Sequence, residues 1–319
     1  MRNFDDASHA VAAHADASVS CRLCRKPAWL RWHTRDWNRL LSDETFSYYR
    51  CSGCDVTFLS PVPADLGRYY TPDYYTMPAS LAQLARAARG ERYKLKLVQH
   101  YRRGGRLLEI GPSTGAFAYL ATQAGFDVDT IEIDAACCRF LREVVGVRAI
   151  QSGRPSEAMR GLPSYDVVAL WHVIEHIADP WETLSAAATL LNPGGIVVIG
   201  APNPDAFQLR VFGPHWTHID APRHLQLLPM ATLVRRAATV GLRPVLQTTR
   251  NTGDLHWNVF GWQKSIYNVF KARRFKGPAA AVGLATTALG WWLSLAALPI
   301  DRAGTRGSTY TLVLRKEGK

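Results

Sequence analysis

Between residues 106 and 200, short apolar segments alternate with segments of helical periodicity, and this alternation limits the fold more than any other feature of the chain. The expected strands cover 106–110, 126–133, a short stretch near 147, 165–171 and, after a turn at 192–195, 196–200. The expected helices cover 81–102, 115–124, 135–145 and 180–191. Strands and helices that repeat at this spacing predict an α/β fold built on a doubly wound parallel sheet.

Length and composition restrict the class of protein. The chain has 319 residues, 47% of them hydrophobic, and its 24 Gly and 18 Pro follow no repeat, which excludes a collagen-like or disordered chain. The chain has a single long uncharged segment, near its C-terminus, which excludes a membrane protein with many spans. Residues 1–20 contain three Asp and no apolar block, so we expect an unstructured leader, no secretory signal and a cytoplasmic protein.

The chain is basic, with a formal net charge of +12, which is compatible with nucleic acid, anionic lipid or a phosphorylated substrate as partner. One basic cluster, at 86–106, lies along a predicted helix and is typical of a solvated helix face. A second cluster, at 264–276, directly precedes the uncharged segment. Because basic residues beside an apolar segment favour a membrane surface, we expect peripheral contact with anionic lipid and no nucleic-acid partner.

The sequence LLEIGPSTGAF places Gly111 and Gly115 directly after a predicted strand and at the start of a helix. Glycine lets the chain turn tightly and approach a ligand closely at this point. The next strand ends near Glu132, 21 residues after Gly111. Nucleotide-binding doubly wound folds place there an acid that accepts hydrogen bonds from a ribose. The spacing differs from a dinucleotide fingerprint, and Glu109 just before the turn favours a cationic ligand.

Four motifs in order, LLEIGPSTGAF, IEID, YDVVALWHVIEH and LLNPGGIVVIGAPNP, resemble class I S-adenosylmethionine-dependent methyltransferases. The resemblance covers about residues 104–250 and 308–316 and implies a seven-stranded Rossmann-like sheet. It also implies S-adenosylmethionine as the cofactor, whose amine and sulfonium suit the acid before the glycine turn. The implied cofactor-binding residues are Tyr75, Glu109, Gly111, Pro112, Ser113, Thr114, Gly115, Glu132, Ile133 and Trp171.

The resemblance further implies which part of the cofactor each residue meets. Glu109 and the two glycines of the turn would line the methionine half, while Glu132 would hold the ribose and Ile133 would lie against the adenine. The chain departs from the family at Ser113, where a glycine is usual, and serine is small enough for cofactor binding to survive. It also departs at 151–158, QSGRPSEA, where no Asp stands in the place of the acid that commonly meets the adenine amine.

Methyl transfer to a hydroxyl or a carbon acid needs a group that removes the proton of the acceptor. The candidates are His172, Glu175 and His176 after the fourth strand, and His224, with Asp220 and Arg223, in DAPRHLQLL. The two segments together are similar to a bacterial subgroup with W-H-V-x-E-H and W-x-x-x-D-x-P-R-H-L motifs. This resemblance places Trp171 and His172 beside the methyl-transfer centre. Each of the other two histidines has a structural alternative to a catalytic role: His176 could cap a helix or bond the backbone, and His224 could lock the loop that closes the pocket.

Two C-x-x-C pairs, separated by 26 residues, are formed by Cys21, Cys24, Cys51 and Cys54. Four thiolates at such spacing are typical of a closed structural zinc site, which folds the segment that carries it. The alternative is four unpaired buried thiols. Similar zinc-binding modules precede sugar C-methyltransferases, in which a tyrosine-rich segment like 68–75 covers the cofactor. This resemblance places Tyr74 or Tyr75 at the cofactor.

Residues 277–300 carry no charge and, as a helix, would be about 36 Å long, enough to cross a hydrocarbon core of about 30 Å. Residues 307–316 nevertheless resemble the last strand of the sheet, which a single crossing would leave on the wrong side of the membrane. We therefore predict a helical hairpin, formed with 255–270, that lies in one leaflet or its interface. Close packing of the hairpin would use the small residues Gly283, Thr287, Gly290, Ser294 and Ala297. The alternative is a hairpin that caps the domain or forms a dimer interface.

The predicted organisation has six parts: a leader (1–20), a zinc-binding module (21–60), an extended tyrosine-rich linker (61–80), a methyltransferase domain (81–253), a hydrophobic hairpin insertion (254–303) and a last strand (304–319). The expected function is S-adenosylmethionine-dependent methyl transfer to a sugar, lipid-linked glycan or isoprenoid-type acceptor at the cytoplasmic membrane face. Two alternatives stay open: an RNA methyltransferase and a non-catalytic adaptor that binds S-adenosylmethionine.

Overall fold

The structure, a computed structural model, describes residues 19–71, 73–273 and 279–318. Its strands are β1 (Val19–Ser20), β2 (Pro27–Thr34), β3 (Phe46–Cys51), β4 (Thr57–Leu59), β5 (Gly105–Ile110), β6 (Phe126–Glu132), β7 (Arg148–Gln151), β8 (Tyr165–Trp171), β9 (Leu191–Pro202), β10 (Gln226–Leu227), β11 (Leu242–Thr248) and β12 (Thr309–Lys316). Its helices are α1 (Leu81–Ala87), α2 (Arg92–Tyr101), α3 (Ala116–Gln123), α4 (Ala135–Phe140), α5 (Pro155–Ala158), α6 (Pro180–Leu190), α7 (Phe207–Phe212), α8 (Met230–Ala238), α9 (Thr252–Ala272) and α10 (Ala279–Asp301).

The larger sheet contains seven strands in the order β11-β12-β9-β8-β5-β6-β7. The five strands from β5 to β9 pair in parallel, and β12 runs antiparallel to both β9 and β11. The strand order reverses between β5 and β8, and ligands of open α/β sheets bind outside the carboxyl ends of the strands at such a point. The predicted seven-stranded doubly wound sheet is confirmed, and its switch point marks the region in which to look for a site.

The larger sheet forms because its central strands are apolar on both faces. Strand β8, with the sequence YDVVALW, is buried at every position except Asp166. One face packs against α2, α3 and α4 and the other against α6 and α8. Strands buried on both faces show near-continuous apolar runs, which is why the sequence pattern identified them.

A second, antiparallel sheet has the order β1-β2-β3-β4-β10. Its first four strands come from the N-terminal segment, whereas β10 comes from the segment after α7 and pairs Gln226 with Phe58. The N-terminal segment is therefore hydrogen-bonded directly to the loop that contains His224. Val19 and Ser20 form β1, so the predicted leader ends two residues too late, and its residues 1–18 lie outside the described residues.

Several predicted boundaries were wrong for local reasons. The helix expected at 81–102 is interrupted by a 3₁₀ turn at Ala88–Glu91, and the helix expected at 135–145 ends in a π-helical turn at Leu141–Val145. The linker expected to be extended contains a 3₁₀ turn at Leu66–Tyr69, because the ring of Tyr69 is buried there against Phe46, with a centroid separation of 5.7 Å. The turn expected at 192–195 is instead the first part of β9.

Helices α9 and α10 form a hairpin between β11 and β12. Asn251 caps α9 and forms a reciprocal capping box with Asp254, which fixes where the hairpin leaves the sheet. A Cβ on Gly290 would lie 2.5 Å from the Cα of Gln263, so the two backbones touch there. The buried side of α10 includes Gly290, Ser294 and Ala297, as predicted, but Thr286 in place of the exposed Thr287. Gly283, also predicted for close packing, is only half-buried, and a Cβ there would meet nothing within 4 Å.

The segment Val282–Asp301 of α10 is the one helix, among the described residues, that is long and apolar enough to cross a membrane. The chain continues from α10 into β12, which lies between β9 and β11 in the larger sheet. Both ends of the hairpin therefore meet the same sheet.

Candidate active site

The turn between β5 and α3 has a left-handed backbone at three positions, with φ of +66° at Gly111, +53° at Ser113 and +80° at Gly115. A Cβ on Gly111 would lie 2.5 Å from Cγ2 of Val173, so a side chain cannot fit there. Ser113 adopts its conformation at a cost of about 1–2 kcal/mol, which explains why glycine is usual at this position in the family. The other two residues of the turn are the buried Pro112 and the half-buried Thr114.

Glu132 joins this turn to the end of β6. Its buried carboxylate accepts hydrogen bonds from the backbone N–H of Ser113 and of Asp134, both at 2.9 Å. Burial raises the pKa of Glu132 above its usual value. Each oxygen keeps a second lone pair that can accept a ribose hydroxyl. Ile133 follows with 65% of its surface exposed and lies 3.1 Å from the position of a Cβ on Gly153, which gives an apolar surface next to the carboxylate.

Glu109 lies at the carboxyl end of β5 and is buried. Its Oε2 accepts no hydrogen bond within the described part of the chain. Burial raises the pKa of Glu109 to about 8, an effect that the nearby Lys94 opposes. A buried carboxylate oxygen without a hydrogen-bond partner is unfavourable, and a bound ammonium or sulfonium would compensate it. This orphaned oxygen, together with the glycine turn and Glu132, fits S-adenosylmethionine.

Trp171 ends β8, and His172 follows it directly, next to the switch point. The ring of Trp171 packs edge-on against Phe117, with centroids 5.7 Å apart. The backbone of His172 has a φ of +58° and donates to the carbonyl of Gly200 at 2.8 Å, while its ring lies 4.9 Å from that of Trp257 in α9. Strain in a non-glycine residue at this place is typical of a side chain aimed by the fold at a ligand. Burial holds the pKa of His172 well below its usual value, so the ring is neutral at pH 7.

Glu175, His176 and His224 form a compact group beside His172. The Oε1 of Glu175 lies 3.8 Å from Nδ1 of His172 and 3.9 Å from Nε2 of His224, and the rings of His176 and His224 are 4.6 Å apart. Burial raises the pKa of Glu175 to about 8 and lowers that of His224 to about 3. The structure therefore brings together all four predicted catalytic residues.

Arg223 holds the segment that contains His224 in place. Its guanidinium is fully buried and pairs with Asp36 at 2.6 Å and with Asp220 at 2.7 Å. Hydrogen bonds from Arg223, together with its charge, keep the pKa of Asp220 well below its usual value despite burial. Asp220 and Arg223 were candidates for acid–base chemistry, and in the structure both side chains are engaged in this buried ion pair. Asp36 was missed because nothing near it in the sequence points to a partner far along the chain.

The tyrosine-rich segment spans the two halves of the site. At one end, the hydroxyl of Tyr70 lies 3.0 Å from Nδ1 of His176. At the other end, the sulfur of Met77 lies 3.9 Å from that of Cys137 in α4. Tyr75 lies between them, and burial, followed by the charge of Glu132, raises its pKa. The predicted cofactor contact of Tyr75 is compatible with this position, whereas the role of Tyr70 was not predicted.

The four cysteines of the C-x-x-C pairs converge, with their sulfurs within 4.8 Å of one another. The Sγ–Sγ distances are 3.8 Å for Cys21 and Cys54 and 3.3 Å for Cys24 and Cys51. Backbone N–H groups of Gly53 and Cys54 point at the sulfur of Cys51, at 3.3 and 3.5 Å. Four converging sulfurs with backbone N–H donors fit a tetrahedral Zn²⁺, and no vacant position would be left for catalysis.

A family model described as a methyltransferase domain matches residues 81–247, just over half of the chain. The chain belongs to this family. The resemblance of its motifs to S-adenosylmethionine-dependent methyltransferases is thereby confirmed, and so is the prediction that it is an enzyme of that class. The roles of its individual side chains stay predictions.

Two curated relatives of this methyltransferase are each named ubiquinone biosynthesis O-methyltransferase. The relative from Saccharophagus degradans is 26% identical over 184 residues, which cover 53% of this chain and 77% of the relative. The relative from Aeromonas salmonicida is 29% identical over 150 residues, which cover 44% of this chain and 63% of the relative. A solved structure, a SAM dependent methyltransferase from Archaeoglobus fulgidus, is 17% identical and covers 72% of this chain and 94% of that chain, with a TM-score of 0.47.

Proposed function

We propose that this methyltransferase modifies an isoprenoid-type or lipid-linked acceptor at the cytoplasmic face of a membrane. The observation that carries the proposal is the position of the hairpin, because α9 contacts the active site through Trp257 and α10 exposes an apolar face. An acceptor bound along the hairpin would have its reacting group at His172 and its apolar part on a surface suited to lipid. The names of the two relatives, which refer to ubiquinone biosynthesis, support an acceptor of the isoprenoid type.

The apolar face is the main argument for a membrane. It includes two side chains with exposed fractions of 74% for Leu284 and 66% for Trp292. The other exposed large apolar residues of the hairpin are Phe260, Leu289, Trp291, Leu293, Leu295 and Ile300. Apolar residues with adjacent tryptophans are typical of a helix that lies in a lipid interface.

The basic run before α10 supports the same proposal less strongly. The exposed Arg273 is available to an anionic surface. Lys271 donates to the carbonyl of Trp37 at 3.0 Å, and burial lowers its pKa to about 8. Arg274 and Lys276 lie outside the described residues. Affinity for lipid should therefore come more from the apolar face than from charge.

Different residues of the site would have different roles in methyl transfer. S-adenosylmethionine, when bound, supplies the methyl group. Glu109 and the glycine turn would bind its methionine half, and Glu132 would hold the ribose. His172, neutral and at the end of β8, would accept the proton of the acceptor. Trp257 would position the acceptor against His172, and alignment of this kind contributes about 7–11 kcal/mol to lowering a barrier.

The membrane proposal predicts that the protein partitions onto vesicles through the hairpin. Replacing both Leu284 and Trp292 with glutamate should lower the vesicle-bound fraction at least tenfold. Two charges would then replace the large apolar side chains that have the highest exposed fractions among the described residues. Sedimentation with neutral and with anionic vesicles, each at two salt concentrations, measures this fraction.

A matched control replaces Trp29 and Leu30 of β2, which expose 51% and 44% of their surfaces, with glutamate. This variant should bind vesicles like the wild type. If both variants lose binding equally, or if the wild type does not bind vesicles, the membrane proposal is wrong. The hairpin face would then be an interface between proteins, and soluble acceptors would be tested first.

We propose also that the four cysteines hold a structural Zn²⁺. The variant Cys24→Ser should contain one equivalent of zinc fewer than the wild type, and its N-terminal segment should become sensitive to protease, since the metal contributes folding energy directly. Metal analysis and limited proteolysis measure both effects. Cys137→Ser, at a buried cysteine outside the cluster, is the control and should keep its zinc. Equal zinc contents in wild type and Cys24→Ser would contradict the proposal.

A further inference from the structure

The group formed by Glu175, His176 and His224 has an unusual hydrogen-bonding pattern. Glu175 has only 1% of its surface exposed, and neither of its carboxylate oxygens accepts a hydrogen bond within the described residues. The histidines around it do not supply one, since Nε2 of His224 is 3.9 Å from Oε1 of Glu175 and Nδ1 of the neighbouring His172 is 3.8 Å from it. A buried carboxylate in this condition requires a positive partner or a proton.

Backbone carbonyls determine which nitrogen of each histidine carries the hydrogen. Nδ1 of His224 lies 2.9 Å from the carbonyl oxygen of His218, and Nδ1 of His176 lies 3.0 Å from that of Arg223. A carbonyl oxygen only accepts hydrogen bonds, so both Nδ1 atoms are donors, and the Tyr70 hydroxyl, 3.0 Å from Nδ1 of His176, is a second acceptor of that N–H. In a neutral ring, Nε2 then keeps a free lone pair. Metal-binding histidines are commonly fixed in this way, with one nitrogen donating to a backbone carbonyl and the other bound to the ion.

The backbone also fixes the positions of the three side chains relative to one another. The carbonyl of Glu175 accepts hydrogen bonds from the N–H of Leu225 at 2.9 Å and of Gln226 at 3.2 Å. These bonds join the loop after β8 to the segment that contains His224. One potential ligand atom from each of the three residues lies within 4.8 Å of the others. Bonds of about 2.0–2.2 Å to a metal separate neighbouring ligand atoms by roughly 3–3.5 Å, so small side-chain rotations close the site.

We infer that Glu175, His176 and His224 bind a divalent first-row transition-metal ion. One carboxylate and two imidazoles form a nitrogen and oxygen donor set that suits such ions, and the set differs from the four thiolates of the N-terminal segment. Three protein ligands leave positions free for other groups. Binding of the ion does not depend on the proposed acceptor. The role of the ion in the reaction rests on the proposed function: next to His172, the ion would hold an oxygen of the acceptor.

Titration with Mn²⁺, followed by electron paramagnetic resonance, tests the inference. Mn²⁺ prefers oxygen and nitrogen ligands and competes poorly for thiolates, so the full chain is used after chelator treatment and reloading with one equivalent of zinc. The wild type should bind one Mn²⁺ per chain, and Glu175→Gln and His224→Gln should each bind it at least tenfold more weakly. Glu182→Gln, at an exposed glutamate of α6, is the matched control and should bind like the wild type.

Binding of S-adenosylhomocysteine to the same samples separates the possible outcomes. Variants that bind this product normally but have lost Mn²⁺ support the metal site. A wild type that binds the product but no Mn²⁺, or a Glu175→Gln protein that binds Mn²⁺ like the wild type, overturns it and leaves the methyltransferase unaffected. If Glu175→Gln fails to bind the product, the Mn²⁺ affinity of His224→Gln decides whether the metal site exists. A wild type that binds no product would contradict the proposed function itself.

Discussion

Replacing His172 with alanine is expected to lower the rate of methyl transfer by about 10²–10⁴-fold, the usual contribution of a positioned base. The affinity for S-adenosylmethionine should stay within a few-fold of the wild type. The reason is geometric: His172 lies at the end of β8 against Trp257, on the side of the switch point away from Glu132. Single-turnover rates with a phenolic acceptor, and calorimetric titration with the cofactor, measure the two quantities.

A matched variant distinguishes a chemical role of His172 from a structural role in which its ring only supports the loop after β8. His218, like His172, is a histidine whose ring packs against Trp257, with centroids 5.9 Å apart. His218→Ala removes a ring from the same cluster but keeps the residue at the end of β8, so its rate should fall less than that of His172→Ala. Full activity of His172→Ala would remove this residue from the mechanism. A parallel loss of cofactor affinity would mean that His172 supports the fold of the site.

Local sequence signals were sufficient for the sheet and for the cofactor turn. The strands were found because β8 and its neighbours are buried on both faces and therefore apolar at almost every position. The turn was found because Gly111 and Gly115 need positive φ angles and leave no room for a side chain. In both cases the physical requirement acts on a single residue or on a short segment, so the local sequence shows this requirement directly.

Contacts between distant segments could not be found in this way. The pair of Asp36 and Arg223 joins residues 187 positions apart, and the bond between Tyr70 and His176 joins residues 106 apart. Neither contact leaves a periodic pattern, because each depends on where the loops meet after folding. The same is true of Gln226, which was not expected to extend the N-terminal sheet. The cofactor half of the site was therefore predicted in more detail than the acceptor half, which is built from such loops.

Replacing Arg223 with methionine is expected to lower the free energy of unfolding by about 3–5 kcal/mol, because removing one member of a buried ion group leaves an uncompensated charge. Arg223 is fully buried between Asp36 and Asp220, so the variant would leave two carboxylates near each other without a cation. Their repulsion adds to the loss of the hydrogen bonds. Urea denaturation of wild type and variant at neutral pH measures the difference.

Asp36→Asn is the informative comparison, since it removes one carboxylate but leaves Arg223 paired with Asp220. The remaining pair is electrically neutral, and the amide oxygen of the introduced asparagine could keep one of the hydrogen bonds that Asp36 accepts from the N–H groups of Arg39 and Leu41. We therefore expect Asp36→Asn to be clearly less destabilising than Arg223→Met. The exposed Arg210, replaced with methionine, should change the stability by no more than about 0.5 kcal/mol. If Asp36→Asn lowered the free energy of unfolding more than Arg223→Met, the explanation based on charge balance around Arg223 would be wrong. The turn that Asp36 caps would then be what holds the N-terminal segment on the active-site loop.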